Sequence, residues 1–169
     1  MSPSKHSDLT IEVIFKLDGD DGRGWIVGHD NGGYDRGLAL TDNRYGGVGS
    51  GIGGEYQSGI STPSFDIWHH GIATFRQGVT KGSFVAIDGI IGKKITAVNS
   101  DGHPEFSIGG FKSYLGHGIK GLVRAVFIYE TAFYEDTAQL AFRENFNKLL
   151  LNPGPGETKS ISTKFLEYY

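Results

Sequence analysis

Over residues 9–17 apolar and polar side chains alternate. Leu9, Ile11, Val13, Phe15 and Leu17 fall on one side, Thr10, Glu12 and Lys16 on the other, and Ile14 is the exception. A period of two held this long predicts a half-buried β-strand. The run Asp18-Gly19-Asp20-Asp21-Gly22 ends it with turn chemistry. Short strands are predicted at 25–28 and 37–41, with a polar loop at 29–36 between them. Residues 46–59 are rich in glycine and have Val48, Ile52 and Ile60 as nearby aliphatic anchors, so one short strand flanked by loops is expected. Further strands are predicted at 68–75, 83–88, 90–95 and 106–109. Asp88-Gly89 joins the middle two, because both residues tolerate the positive φ of a tight hairpin. Residues 122–129 are nearly all apolar, which predicts a strand buried on both faces.

The period then changes. Ala138, Ala141, Phe142, Phe146, Leu149 and Leu150 recur at helical spacing and make one apolar stripe. A single helix over about 135–150, packed on the outside of the sheets, is the expectation. Asn152-Pro153-Gly154-Pro155-Gly156 ends it. Beyond it Ile161, Thr163 and Phe165 alternate weakly, so the tail at 153–169 is read as a candidate closing edge strand after one domain at 1–152. Many short strands with frequent turns and one late helix predict an all-β chain folded as a sandwich or barrel.

Composition narrows this picture. At 169 residues the chain is long enough for one self-sufficient core. Its 27 glycines, without proline enrichment or a collagen period, fit many turns and bulges. The formal net charge is -3 and the densest basic cluster is Lys93-Lys94, which speaks against a nucleic-acid surface. There is no cysteine, so disulfides, thiolate chemistry and cysteine zinc sites are excluded. The absence of cysteine tilts the expectation toward a microbial, intracellular or viral product. MSPSKHSDLT holds no apolar signal-peptide core, and no apolar run approaches the ~20 residues that span a bilayer.

Five segments in order give the chain a family resemblance. They are LTIEVIFKL (9–17), WHHGIATF (68–75), FVAIDGIIG (84–92), FSIGGF (106–111) and GIKGLVRAVFIYETAFYED (118–136). Together they resemble the laminin G-like domains of the concanavalin A-like lectin and glucanase superfamily, over about residues 9–150. AFRENFNKLLLNPGP (141–155) is similar to the helix end of such domains in bacterial and phage proteins. The resemblance implies a two-sheet antiparallel jelly-roll sandwich with one short C-terminal helix outside. There are two departures. Only eight residues precede Leu9, where the family has a further strand, and Tyr134 stands where a capping Ser, Thr or Asp is usual.

Candidate chemistry follows from residue types and spacing. The glucanase branch needs two carboxylates flanking a bond, carried as Glu-x-Asp-x-Glu on one strand. No such spacing occurs here; Glu55, Glu105, Glu130, Glu135 and Glu144 lack a strand partner, so catalysis is disfavoured. Acidic turns at 18–21 and 30–35 offer hard oxygen ligands for Ca²⁺, with Asp20, Asp30 and Asn31 as candidate ligands. Such turns are more often simply solvated. Trp25, Tyr34, Asp35, Tyr45 and Tyr56 lie in or beside polar loops and are the candidate glycan contacts, since aromatic faces stack on sugar rings. The competing reading makes Trp25 core and the tyrosines loop cover. His69 and His70 point to opposite faces of a regular strand and cannot share a metal; Trp68 beside them reads as a core anchor. Gly49-x-Gly51-x-x-Gly54 lacks the strand and helix that a dinucleotide site requires.

The expected function is therefore non-catalytic carbohydrate binding or adhesion, with a glycan or cell-surface polysaccharide as partner. The alternative is a phage virion component, a capsid decoration or tail protein that uses the sandwich for assembly with other virion proteins or as an oligomer. A glycan hydrolase is the least favoured reading. Virion or cell surface are the locations that these readings imply.

Overall fold

The computed structural model describes residues 5–19, 23–29, 35–41, 44–48, 55–61, 64–96, 104–110 and 118–148. The strands are β1 (Asp8–Leu17), β2 (Arg23–Gly28), β3 (Gly37–Thr41), β4 (Arg44–Val48), β5 (Glu55–Ser61), β6 (Trp68–Arg76), β7 (Phe84–Ile87), β8 (Ile90–Ile91), β9 (Ser107–Ile108) and β10 (Gly121–Tyr129). They form two five-stranded antiparallel sheets, ordered β10-β1-β6-β7-β8 and β5-β4-β3-β2-β9. This is the sandwich that the alternation predicts.

The inner face of β1 carries the five residues named for it. Leu9, Ile11, Val13, Phe15 and Leu17 are each no more than 1% exposed. They pack with Ala73, Phe75, Val85 and Ile87 of the same sheet and with Ile26, Val27, Leu38 and Leu40 of the other. Gly71 sits where the two sheets pack closely. A Cβ there would lie 2.6 Å from Leu38 Cδ2 and 3.1 Å from the Phe15 ring, so a side chain would oblige Leu38 and Phe15 to repack.

The outer face of the first sheet is covered by the late helix. α1 (Glu135–Ala141) runs on without a break as a π-helical segment, Phe142–Phe146. Ala138 and Ala141 pack on Ile72, Phe84 and Ala86, as the helical stripe predicts. Leu149 and Leu150 of that stripe, and the 153–169 tail, lie outside the described residues. Asp88 and Gly89 have φ of 50° and 77°, the two positive values that a tight hairpin between β7 and β8 needs.

Three expectations are corrected. The glycine-rich stretch forms two strands, β4 and β5, rather than one, because backbone pairing needs no apolar signature. β10 is not buried on both faces: it is the outermost described strand of its sheet, and Leu122 and Phe127 are 50% and 38% exposed. Trp68 is not a core anchor. It lies half-buried on the outer face, with Lys16 Nζ and the Arg124 guanidinium 5.9 and 5.8 Å from its ring centre.

Candidate functional site

Of the residues singled out as glycan contacts, two have described side chains, and both are buried. Trp25 is 7% exposed and clusters with Ala39 on the second sheet, apart from the main core. Its indole lies against the paired glycines of β2 and β3: a Cβ on Gly28 or Gly37 would come within 2.8 or 2.4 Å of the ring. That ring has no open face for a sugar, which is the core reading of Trp25 and corrects its place among the contacts. Asp35 is 2% exposed, beside Arg36, which is 1% exposed. Arg36 Nε donates to His29 Nε2 at 3.3 Å and Nη1 donates to the His6 carbonyl at 2.7 Å. Burial lowers the Arg36 pKa to about 10, and the Asp35 charge opposes the fall. Asp35 thus belongs to a buried charged cluster where β3 begins. Tyr45 lies in β4 and Tyr56 in β5, with side chains outside the described set; Tyr34, Asp20, Asp30 and Asn31 lie outside the described residues altogether. Among the described residues no three His, Asp or Glu side chains group to hold a metal, and no helix is long and apolar enough to cross a membrane.

The two histidines do point apart. His69 faces inward, its ring 5.8 Å from Phe15. Its Nδ1 meets Asp88 Oδ2 at 2.6 Å and its Nε2 meets the Ser64 carbonyl at 2.8 Å. Both partners are acceptors, an arrangement that favours the doubly protonated, charged imidazole. Burial pushes its pKa down, but the hydrogen bond and charge of Asp88 and the Ser64 carbonyl outweigh it and the net direction is up. Asp88 Oδ1 also accepts from the His70 backbone N–H at 2.8 Å, so one carboxylate ties the hairpin to β6.

His70 faces outward beneath the helix, 5.5 and 5.9 Å from the Phe142 and Phe146 rings. Its Nε2 lies 2.8 Å from Glu12 Oε1. Tyr129 donates its hydroxyl to Glu12 Oε2 at 2.7 Å, and Asn145 Nδ2 donates to both oxygens at 2.9 and 3.2 Å. Glu12 is 0% exposed. Burial alone would raise its pKa, yet the bonds from His70, Tyr129 and Asn145 hold it below the ordinary carboxylate value. These four groups come from β1, β6, β10 and the helix, and they clamp the helix to the sheet. With Glu12 and His70 buried and both Glu12 oxygens bonded, the network is built to hold structure.

An open cavity of about 560 Å³ lies at the other end of the helix. It is lined by the turn after β6 (Arg76, Val79, Thr80, Lys81, Gly82), by Phe84 and Lys94, and by Phe133, Tyr134, Glu135 and Asp136 at the start of α1. The turn is a tandem: Val79 N–H donates to the Arg76 carbonyl and Gly82 N–H to the Val79 carbonyl, at 3.3 and 3.0 Å. Gly78 and Lys81, the third residue of each turn, have φ of 71° and 51°. Tyr134 is 63% exposed, and the Arg76 guanidinium stacks 4.2 Å from its ring centre. Tyr134 occupies the N-cap and makes no side-chain capping bond. Lys94 pairs with Glu135, and Arg76 Nε lies 3.7 Å from Asp8.

In the sequence Tyr134 stands out only as a missing cap and Lys94 only as part of the Lys93-Lys94 pair, and Arg76 and Lys81 carry no signal of their own. The available signal was an aromatic at a position where a small polar residue stabilises the helix.

No protein-family model and no curated protein matches this sequence. Solved structures do match in fold. A sialidase of Trypanosoma rangeli, in complex with a difluorinated keto-deoxy-nononic acid, superposes with a TM-score of 0.62 at 19% identity, over 82% of this chain and 23% of its own. A candidate carbohydrate-binding protein of Bacteroides ovatus gives 0.60 at 18% identity, over 79% of this chain and 40% of its own. The HCR/D W1238A mutant gives 0.57 at 8% identity, over 82% and 37%. The chain thus spans well under half the length of these neighbours, and what it shares with them is a β-sandwich fold.

Proposed function

We propose that this chain is a non-catalytic carbohydrate-binding module of the laminin G-like kind, with its glycan seated in the open cavity at the start of α1. Tyr134 carries the reading. A Ser, Thr or Asp there would stabilise the helix by about 0.5–2 kcal/mol. The chain instead keeps a tyrosine ring 63% exposed at a cavity mouth, with Phe133 beside it. An aromatic platform bordered by hydrogen-bonding groups is what a sugar ring requires. The neighbouring folds, one a sialidase and one a candidate carbohydrate-binding protein, support the ligand class.

A binding rather than hydrolytic role is supported by the carboxylates. Glu12 and Asp88 are committed to hydrogen-bond networks. Glu135 and Asp136, at the cavity, are consecutive residues on one helical turn and do not face each other across a bond. The test is a glycan array probed with the purified protein, with and without calcium, followed by Tyr134→Ala. Binding to a defined sugar class that Tyr134→Ala abolishes supports the reading. A blank array in both conditions sinks it. Loss of binding on chelation would bring Asp20, Asp30 and Asn31 forward as the calcium ligands.

An assembly role, as in a phage virion, is the second reading. It is favoured by one observation: β10 is an outermost described strand with Leu122 and Phe127 exposed. A monomer by light scattering at high concentration, with wild-type behaviour of Leu122→Ser, would count against it.

A further inference from the structure

The charges around the cavity are not equally committed. Three cations line it: Arg76, Lys81 and Lys94. Lys94 is paired with Glu135, and Arg76 stacks on Tyr134 with Asp8 at 3.7 Å. Lys81 is exposed, and among the described residues it forms no ion pair with a carboxylate.

Its backbone is also unusual. Lys81 has φ of 51°, a left-handed conformation that disfavours any residue with a Cβ. The twin position in the preceding turn is filled by Gly78, at φ 71°. Glycine would suit position 81 equally well for the turn itself. The strained geometry is held in place: Lys81 N–H donates to Thr96 Oγ1 at 3.0 Å, and Gly82 N–H closes the turn onto Val79. A residue kept against its backbone preference points to a use for its side chain.

We infer that the cavity recognises a sugar bearing a carboxylate, a uronic-acid-type residue, with Lys81 as the group that selects for the acid. This rests on the carbohydrate reading of the same cavity. The ring of the sugar lies on Tyr134, and the carboxylate meets the ammonium of Lys81. Asp136 lines the same cavity as an acceptor for hydroxyls; its Oδ1 takes the Thr137 N–H at 2.7 Å. With two of the lining cations already engaged and one open, the site discriminates by charge at a single point. Neutral sugars of the same shape lose that contact and keep the aromatic one.

Matched oligosaccharides separate the two claims. Oligomers of gluco-, galacto- and mannuronate, and the same oligomers after reduction of the carboxyl to a primary alcohol, are titrated into the full chain by calorimetry. At least one acid form is expected to bind about tenfold tighter than its reduced partner, as a charge-assisted contact does, with a preference that falls as salt rises. Lys81→Gln collapses the acid-to-reduced ratio to near one. Lys81→Gly does the same while raising the midpoint of thermal unfolding, which shows that the loss is not misfolding. Equal binding of acid and reduced forms by the wild type, or a ratio unmoved by Lys81→Gln, overturns the inference and leaves the carbohydrate reading standing. No binding of either form, together with a blank neutral array, overturns both.

Discussion

The two ends of the C-terminal helix are built on opposite terms. At the far end Asn145 reaches Glu12, and both oxygens of the buried carboxylate are bonded at 2.7–3.2 Å. At the near end the helix starts without a side-chain cap, a lysine sits in left-handed backbone, and an aromatic ring faces solvent. Both ends are rich in polar residues, so residue type alone does not tell them apart. Satisfaction does. A buried polar group with all its bonds made has no capacity left for a ligand. Groups left exposed, strained or uncapped are those still able to form new contacts.

The largest effect expected on this contrast comes from Glu12→Ala. It leaves His70, Tyr129 and Asn145 without their shared acceptor in a dry site, and should destabilise the fold by about 3–5 kcal/mol, read by chemical denaturation. Sugar binding by the surviving folded fraction should be close to wild type. A loss of under about 1 kcal/mol would mean that water enters the clamp.

The pH profile of stability comes next. Glu12 has its pKa lowered in the fold from an ordinary 4.5, so its contribution is complete above that value and is lost as pH falls through the lowered one. His69 has its pKa raised from 6.5, so its contribution is complete below that value and is lost as pH rises through the raised one. The two together place the plateau of thermal stability between about pH 4.5 and 6.5. Asp88→Asn should remove the alkaline decline and leave the acid one; a profile in which both limbs vanish together would break this assignment.

Smaller effects belong to the open end, and there stability and binding should move in opposite directions. Tyr134→Asp supplies the missing cap and should stabilise by about 1 kcal/mol while weakening sugar binding. Lys81→Gly should stabilise by somewhat less, under about 1 kcal/mol, by relieving the left-handed backbone. If either variant lost stability along with binding, the cavity would be structural after all.

Much of the fold was legible because it is local. The alternation along β1, the Asp88-Gly89 hairpin and the switch to helical spacing at Ala138 each show within a dozen residues. The differences at Thr10, Glu12 and Trp68 share one cause, which is that cover is non-local. Thr10 and Glu12 read as the solvent side of β1, yet both are 0% exposed. Their cover arrives more than 120 residues later: Phe133 N–H donates to Thr10 Oγ1 at 2.9 Å, and Asn145 to Glu12. Trp68 erred in the opposite sense, since nothing in WHHGIATF says that its row of the outer face, with Lys16 and Arg124, lies beyond the helix. The cavity was illegible for the same reason. It joins residues near 80 to residues near 134, and neither stretch carries a motif. Trp25 fits both a core and a rim position in the sequence, and the paired glycines at 28 and 37 are the clue that an indole lies across them.

The π-helical segment at Phe142–Phe146 has a consequence for how this sequence can change length. Such a segment accommodates an extra residue within an otherwise α-helical path. Deleting one residue there would let the helix close up as regular α with its face on the sheet kept, whereas deleting one residue from the α-helical turns before it would rotate the π segment by about 100°. Asn145 and Phe146 would leave the sheet, and Glu12 would lose its cap of partners. A one-residue change of length is thus absorbed within these five residues and not in the α-helical turns that precede them.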